Sequence, residues 1–184
     1  EELCVGGTIA KMKLAMSSSG FSGVMSFGIN TLYNQKNIAK TIDLALDYGF
    51  GISNKETLLV NCIPMGVKVH TSLKIAETSV RTDMALAIIK KFSPKFKQTL
   101  IVSDPHFLKM LVEEGREAGI NYKEFNVSLI MGEDWFSESF RSYLAGLIEL
   151  DLDNPQGRLI ASTLGIAELD LNLFHESLYT IKIR

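Results

Sequence analysis

The stretch TLIVSDPHFLKMLVEEGREAGI, Thr99–Ile120, reads as one complete strand-to-helix unit and decides the fold class. Thr99–Ser103 is a short apolar run of strand length. Pro105 then suits the first turn of a helix, where a missing N–H costs nothing. Phe107, Leu108, Leu111, Val112 and Gly115 share one helical stripe, and Gly119 is a C-terminal stop. The same alternation continues on both sides. Upstream, a helix near Gln35–Tyr48 carries Ile38, Ile42, Ala45 and Leu46 on one face, and a strand follows at Thr57–Ile63. A second helix, Asp83–Phe92, begins after a cap at Thr82 and buries Ala85, Ile88, Ile89 and Phe92 before Pro94 breaks it. Downstream, strand Val127–Met131 leads into Gly132-Glu133-Asp134. A helix then starts after Ser137 with Glu138 in its first turn and Phe140, Tyr143, Leu144 and Leu147 facing inward. Strand Arg158–Ser162 closes the series, and SLYTIKIR at the end alternates at strand period.

Strand–helix alternation at this spacing predicts an α/β fold with a largely parallel sheet flanked by helices, its functional groups at the carboxyl ends of the strands. Ser103-Asp104, Gly132-Glu133 and Ser162–Glu168 all fall at such ends. An apolar fraction of 46% with 22% charged residues describes an ordinary folded protein. The formal net charge of −2, with lysines and arginines dispersed, lacks the field that holds a nucleic acid backbone, so no nucleic acid partner is expected. No apolar run approaches the roughly 20 residues that cross a bilayer, and the start shows no basic region before an apolar core; no membrane partner and a soluble, cytoplasmic protein are expected. The two cysteines, Cys4 and Cys62, cannot build a disulfide framework and are expected to be reduced and mostly buried. His70, His106 and His175 lack paired ligand spacing, Lys90, Lys91, Lys95 and Lys97 read as a solvated helix end, and Arg81 and Asp83 read as local helix-start contacts. The missing initiator methionine and the final strand-like run are expected features of a piece of a longer polypeptide, whose uncovered surface favours self-association as a homodimer.

Two separated segments carry candidate chemistry. SSSGFSG, Ser17–Gly23, is a run of small hydroxyl and glycine residues whose backbone N–H groups can turn toward a phosphate. STLGIAELDLNLFHES, Ser162–Ser177, ends a strand at Gly165 and places a carboxylate, Glu168, just beyond, where it could hold a magnesium ion.

The order of these segments resembles the phenylacetate-CoA ligase branch of the adenylate-forming (AMP-binding) enzymes, near the acyl-protein synthetases and capsule-biosynthesis relatives. Ser17, Ser18, Ser19, Gly20, Ser22 and Gly23 match the family's phosphate loop. Ser103–Ile120 resembles its strand, proline and helix, and Gly132, Glu133, Asp134 and Trp135 its glycine-glutamate turn. Leu164, Gly165, Ile166, Ala167 and Glu168 stand where it has tyrosine-glycine-x-threonine-glutamate. The resemblance implies a single α/β fragment, residues 1–184, of the large N-terminal domain, without the C-terminal lid domain. It implies an acid-thiol ligase that uses ATP, Mg²⁺ and coenzyme A to activate a small carboxylic acid. Its implied sites are Ser17–Gly23 for the β- and γ-phosphates, Gly132 and Glu133 for the adenine side, Ser162, Thr163, Leu164 and Gly165 for the adenylate, and Glu168 as catalytic residue and metal ligand. Residues near Asn61–Val69 and Asp104–Phe107 are candidates for the acid pocket. The ribose-binding aspartate and the closing lysine belong, in the family, beyond Arg184, so this chain alone is expected to be inactive.

The departures are specific. Leu164 replaces the aromatic residue beside adenine, Ala167 removes a hydroxyl near the α-phosphate, Phe21 fills a position usually held by a small hydroxyl residue, and Val24 and Met25 replace a proline and a lysine. They keep open a second reading, a catalytically idle nucleotide-binding or structural relative.

Overall fold

The computed structural model describes residues 9–17, 23–64, 67–155, 157–166 and 171–183. Two extended segments, β1 (Leu14–Ser17) and β2 (Phe27–Asn30), form an antiparallel hairpin that leads into helix α1 (Leu32–Phe50). β3 (Thr57–Asn61), β4 (Lys74–Glu77), α2 (Thr82–Phe92), β5 (Gln98–Ser103), α3 (Pro105–Glu117), β6 (Val127–Met131), α4 (Glu138–Leu147), β7 (Ile160–Ile166), β8 (Leu171–His175) and α5 (Leu178–Ile183) follow. The main sheet has six strands in the order β4-β3-β5-β6-β7-β8, parallel from β4 to β7, with β8 antiparallel at one edge.

Successive side chains of a strand point to opposite faces, so a strand covered on both sides must be apolar at every position. The middle of each central strand meets this condition in Leu58–Val60, Leu100–Val102 and Leu129–Met131, while polar Thr57, Asn61, Gln98, Thr99, Ser103 and Ser128 lie buried toward the strand ends. Leu58 and Val60 of β3, Ile101 of β5 and Leu129 and Met131 of β6 face α2, α3 and α4, where Ala85, Ile89, Leu108, Leu111 and Leu144 complete one core. Leu59, Leu100, Val102, Ile130 and Ala161 face the other way, against Leu46 and Phe50 of α1 and Leu178 and Ile181 of α5. The predicted parallel sheet flanked by helices is therefore the observed architecture.

Local chemistry sets the helix ends. Thr31 accepts the Asn34 N–H and starts α1 three residues before the predicted Gln35, and Gly51, at φ 63°, ends it. Asp104 accepts the Phe107 N–H at 2.9 Å ahead of Pro105, and Ser137 accepts the Phe140 N–H at 3.2 Å at the head of α4. Gly119 takes φ 76° just past α3, as its reading as a stop requires.

Five expectations are corrected. Thr82 is the first residue of α2 rather than its cap; Arg81 occupies the cap position without a side-chain capping bond, its guanidinium held by Asp83 at 2.8 Å. Phe92 is 38% exposed, its ring beneath the Lys91 and Lys95 ammonium groups. On α4 the expected inward residues Phe140, Leu144 and Leu147 pack on the core, but Tyr143 is 45% exposed and bonds Glu113, and Arg141 and Ala145 are buried beside Leu144. The strand predicted at Arg158–Ser162 starts at Ile160 and runs on to Ile166, where the unforeseen β8 pairs with it. Finally, SLYTIKIR does not form a strand. Ser177 and Thr180 exchange backbone-to-hydroxyl hydrogen bonds, a reciprocal cap that starts α5 and lays Leu178 and Ile181 on the sheet.

Candidate functional site

Register alone assembles one edge of the candidate site. Ser103 of β5 lies opposite Met131 of β6, and Met131 opposite Ser162 of β7, so the carboxyl ends of three parallel strands stand side by side. The Gly132 N–H closes the row by donating to the Ser103 carbonyl at 3.0 Å. A Cβ at Gly132 would meet Thr163 Cγ2 at 3.3 Å, tighter than ordinary van der Waals contact, which explains a glycine where the β6 turn passes β7. Gly132, Glu133, Ser162, Thr163, Leu164 and Gly165, predicted from separate parts of the chain, thus share one edge.

Glu133 adopts φ 70°, a left-handed angle that costs a side-chain-bearing residue roughly 1–2 kcal/mol. Its carboxyl is pushed above the ordinary carboxylate range, first by partial desolvation and then by the negative charge of Asp104. Two neighbouring carboxylates make the Asp104–Glu133 end of this edge unfavourable for phosphate and suited to hydroxyl or amino donors. Beyond them Trp135 is 79% exposed. On β7, Leu164 pairs with Phe174 of β8, both side chains exposed, and the register slips between Leu164 and Gly165.

Of the other half of the predicted site, only Ser17 and Gly23 are among the described residues. Ser17 ends β1 opposite Phe27, and Gly23, at φ 86°, has open space where a side chain would project. Ser18, Ser19, Gly20, Phe21 and Ser22, like Ala167, Glu168 and Cys4, lie outside the described residues. Helix α1 touches both β2 and β8, so one element borders the hairpin and the antiparallel end of the main sheet. Among the described residues, no cluster of three or more metal-ligating side chains occurs.

Next to the acid-pocket candidates, Asn61 donates to the Val67 carbonyl at 2.8 Å and to Glu77 at 2.7 Å, and Ser103 donates to the Cys62 carbonyl at 2.7 Å. Cys62 is fully buried beside Thr78, and burial pushes its thiol up to about 11, which leaves it a poor nucleophile at neutral pH. A cavity of about 400 Å³ between Ile52–Thr57 and Ser72–Lys74 flanks the amino ends of β3 and β4, away from this edge.

Sequence reasoning missed two residues. Arg141 is 1% exposed, its ring-stacked guanidinium 4.9 Å from the centre of Phe136, and it bonds Glu138 at 2.9 Å, Glu176 at 2.8 Å and the Ile160 carbonyl. Losing one partner of so buried a charge costs roughly 3–5 kcal/mol. The available signal was an arginine at the head of the apolar stripe Leu144, Ala145 and Ile148, with Glu138 three residues before it. Glu176 follows a strand that periodicity did not disclose and carried no signal of its own.

No protein-family model matches the chain. No curated protein matches it either. Solved structures do, acyl-CoA ligases among them. A 2-hydroxyisobutyryl-CoA ligase in complex with 2-HIB-AMP and CoA, in the thioesterification state, superposes over 96% of this chain and 38% of its own, with TM-score 0.68 and 13% identity. A long-chain-fatty-acid-CoA ligase from Archaeoglobus fulgidus gives TM-score 0.67 at 16% identity, over 95% of this chain and 35% of its own. An AMP-forming acyl-CoA synthetase/AMP-acid ligase II-like protein from Dyadobacter fermentans gives 0.56 at 15%, over 94% and 45%. The α/β fold is thus one that acyl-CoA ligases contain, and the chain spans 35% to 45% of these ligases' length.

Proposed function

We propose that this chain is the nucleotide-handling part of an ATP-dependent acid-thiol ligase of the adenylate-forming superfamily, in its phenylacetate-CoA ligase-like branch. The observation that carries the reading is the meeting of Gly132-Glu133 with Ser162–Gly165 on one sheet edge, in a fold that solved acyl-CoA ligases share. In this proposal a carboxylate oxygen of a small acid attacks the α-phosphorus of ATP, forming the acyl-adenylate and expelling pyrophosphate. A thiol, such as that of coenzyme A, then attacks the acyl carbon and AMP leaves. Such chemistry needs positioning and charge neutralisation more than a side-chain nucleophile.

The division of labour follows charge. The edge bearing Asp104 and Glu133 takes the adenine side, where their acceptor oxygens meet amino donors, and the triphosphate runs away from them toward the hydroxyl-rich stretch Ser17–Gly23. Leu164 and Gly165 present an exposed, low-profile surface to the adenylate. Glu168, outside the described residues, is assigned to Mg²⁺, which when bound would neutralise phosphate charge. The absence of a C-terminal lid domain from this stretch, a cytoplasmic setting and self-association belong to the same proposal; exposed Phe27, Tyr33 and Phe174 support the last.

The test is ATP–pyrophosphate exchange by the full-length protein against a panel of carboxylic acids, with Glu168→Gln alongside. Exchange with a subset of acids, reduced about 100-fold or more in Glu168→Gln, is expected. Unaltered turnover in the variant contradicts the metal assignment. A second reading, a nucleotide binder without turnover, is favoured by the aliphatic Leu164 and uncharged Met25 and predicts ATP binding without exchange.

A further inference from the structure

β7 changes partners along its length. Up to Ser162 it pairs in parallel with β6, through Met131; from Thr163 it pairs antiparallel with β8, through His175. A strand at such a changeover has lost one neighbour's restraint before gaining the full restraint of the next. Glu176, the residue after β8, fills that gap. Its Oε2 accepts the Ser162 N–H at 2.7 Å, and its own N–H donates to the Ser162 carbonyl at 2.8 Å, so both backbone groups of Ser162 are held by one residue.

The side chain of Glu176 is itself held. Arg141 Nη2 donates to the same Oε2 at 2.8 Å, while Nη1 donates to the Ile160 carbonyl two residues up the strand. A planar guanidinium can span both acceptors in one fixed geometry, which an ammonium cannot. Glu138 engages Nε at 2.9 Å and fixes the ring of donors from the other side.

We propose that Arg141 and Glu176 are positioning residues that lock Ser162 and so set the height of Thr163–Gly165 beside Gly132. This rests on the nucleotide-binding reading of that edge. Neither residue touches the ligand; both act through the backbone of β7.

The test compares wild type, Glu176→Ala and Glu176→Gln by site-resolved amide hydrogen exchange and by equilibrium binding of AMP. In Glu176→Ala the Ser162 amide should exchange about tenfold faster or more relative to the Leu100 amide of the central strand, and AMP affinity should fall about tenfold. Glu176→Gln, whose amide oxygen still accepts the Ser162 N–H, should recover both to within about threefold. If Glu176→Ala fails to fold, Arg141→Lys supplies the same comparison. Ser162 exchange that moves only in step with Leu100 overturns the lock. Faster local exchange with unchanged AMP affinity overturns the positioning role. Wild-type protein that binds no AMP overturns the nucleotide reading and the positioning role with it, and the exchange data then show separately whether the lock itself exists.

Discussion

Glu133 combines a left-handed backbone angle, a carboxylate neighbour and a place at the mouth of the β6 turn. Because its carboxyl titrates higher in the folded chain than in the unfolded one, the folded state binds the extra proton more readily. Whatever stability that adds is present at low pH and lost as pH rises from the ordinary carboxylate range through the raised value. Glu133→Gln should therefore flatten the fall in stability across that window, measured as urea midpoints from pH 4 upward. An identical pH profile in the variant would show that Asp104 and the partial desolvation do not act on it. Asp104 was legible in the sequence as the residue before Pro105, but its electrostatic effect on Glu133 was not, since that depends on β5 and β6 being neighbours in the sheet. Arg141 was hidden for a related reason: its partners Glu176 and the Ile160 carbonyl are brought to α4 only by the tertiary fold.

At the scale of elements, α3 lies against α2 at a glycine. A Cβ at Gly115 would overlap the Tyr122 hydroxyl and approach Leu86 Cδ2 to 2.9 Å, while that hydroxyl donates to the Leu111 carbonyl at 3.0 Å. Gly115→Ala should destabilise the fold by about 1–3 kcal/mol despite the better helix propensity of alanine. A denaturation midpoint equal to or above wild type would contradict this packing. The elements with one strong local signal were readable in advance: Pro105 and Gly119 bracket α3, and Ser137 opens α4. Those decided by competition were not. The final segment satisfies a strand period and a Ser177–Thr180 helix start together, and the core face waiting for Leu178 and Ile181 selects the helix. β8 escaped notice because no local alternation was strong enough to announce its antiparallel pairing with β7.

For the whole molecule, the central strands, apolar at successive positions and covered on both faces, made the parallel sheet legible, and the positions of Gly132 and Ser162 at strand ends made half of the candidate site legible too. Of the other half, Ser17 belongs to a separate two-stranded sheet, so no register relation ties it to that edge; only a ligand reaching both would. Titration of the isotopically labelled chain with Mg-ATP, followed by backbone amide shifts, therefore bears on the central claim most directly. Ser17 and Gly23 near the hairpin and Gly132 and Ser162–Gly165 on the main sheet should shift together along one saturation curve with a single Kd. Shifts confined to one of the two groups, different Kd values for them, or no saturable shift in either would contradict it.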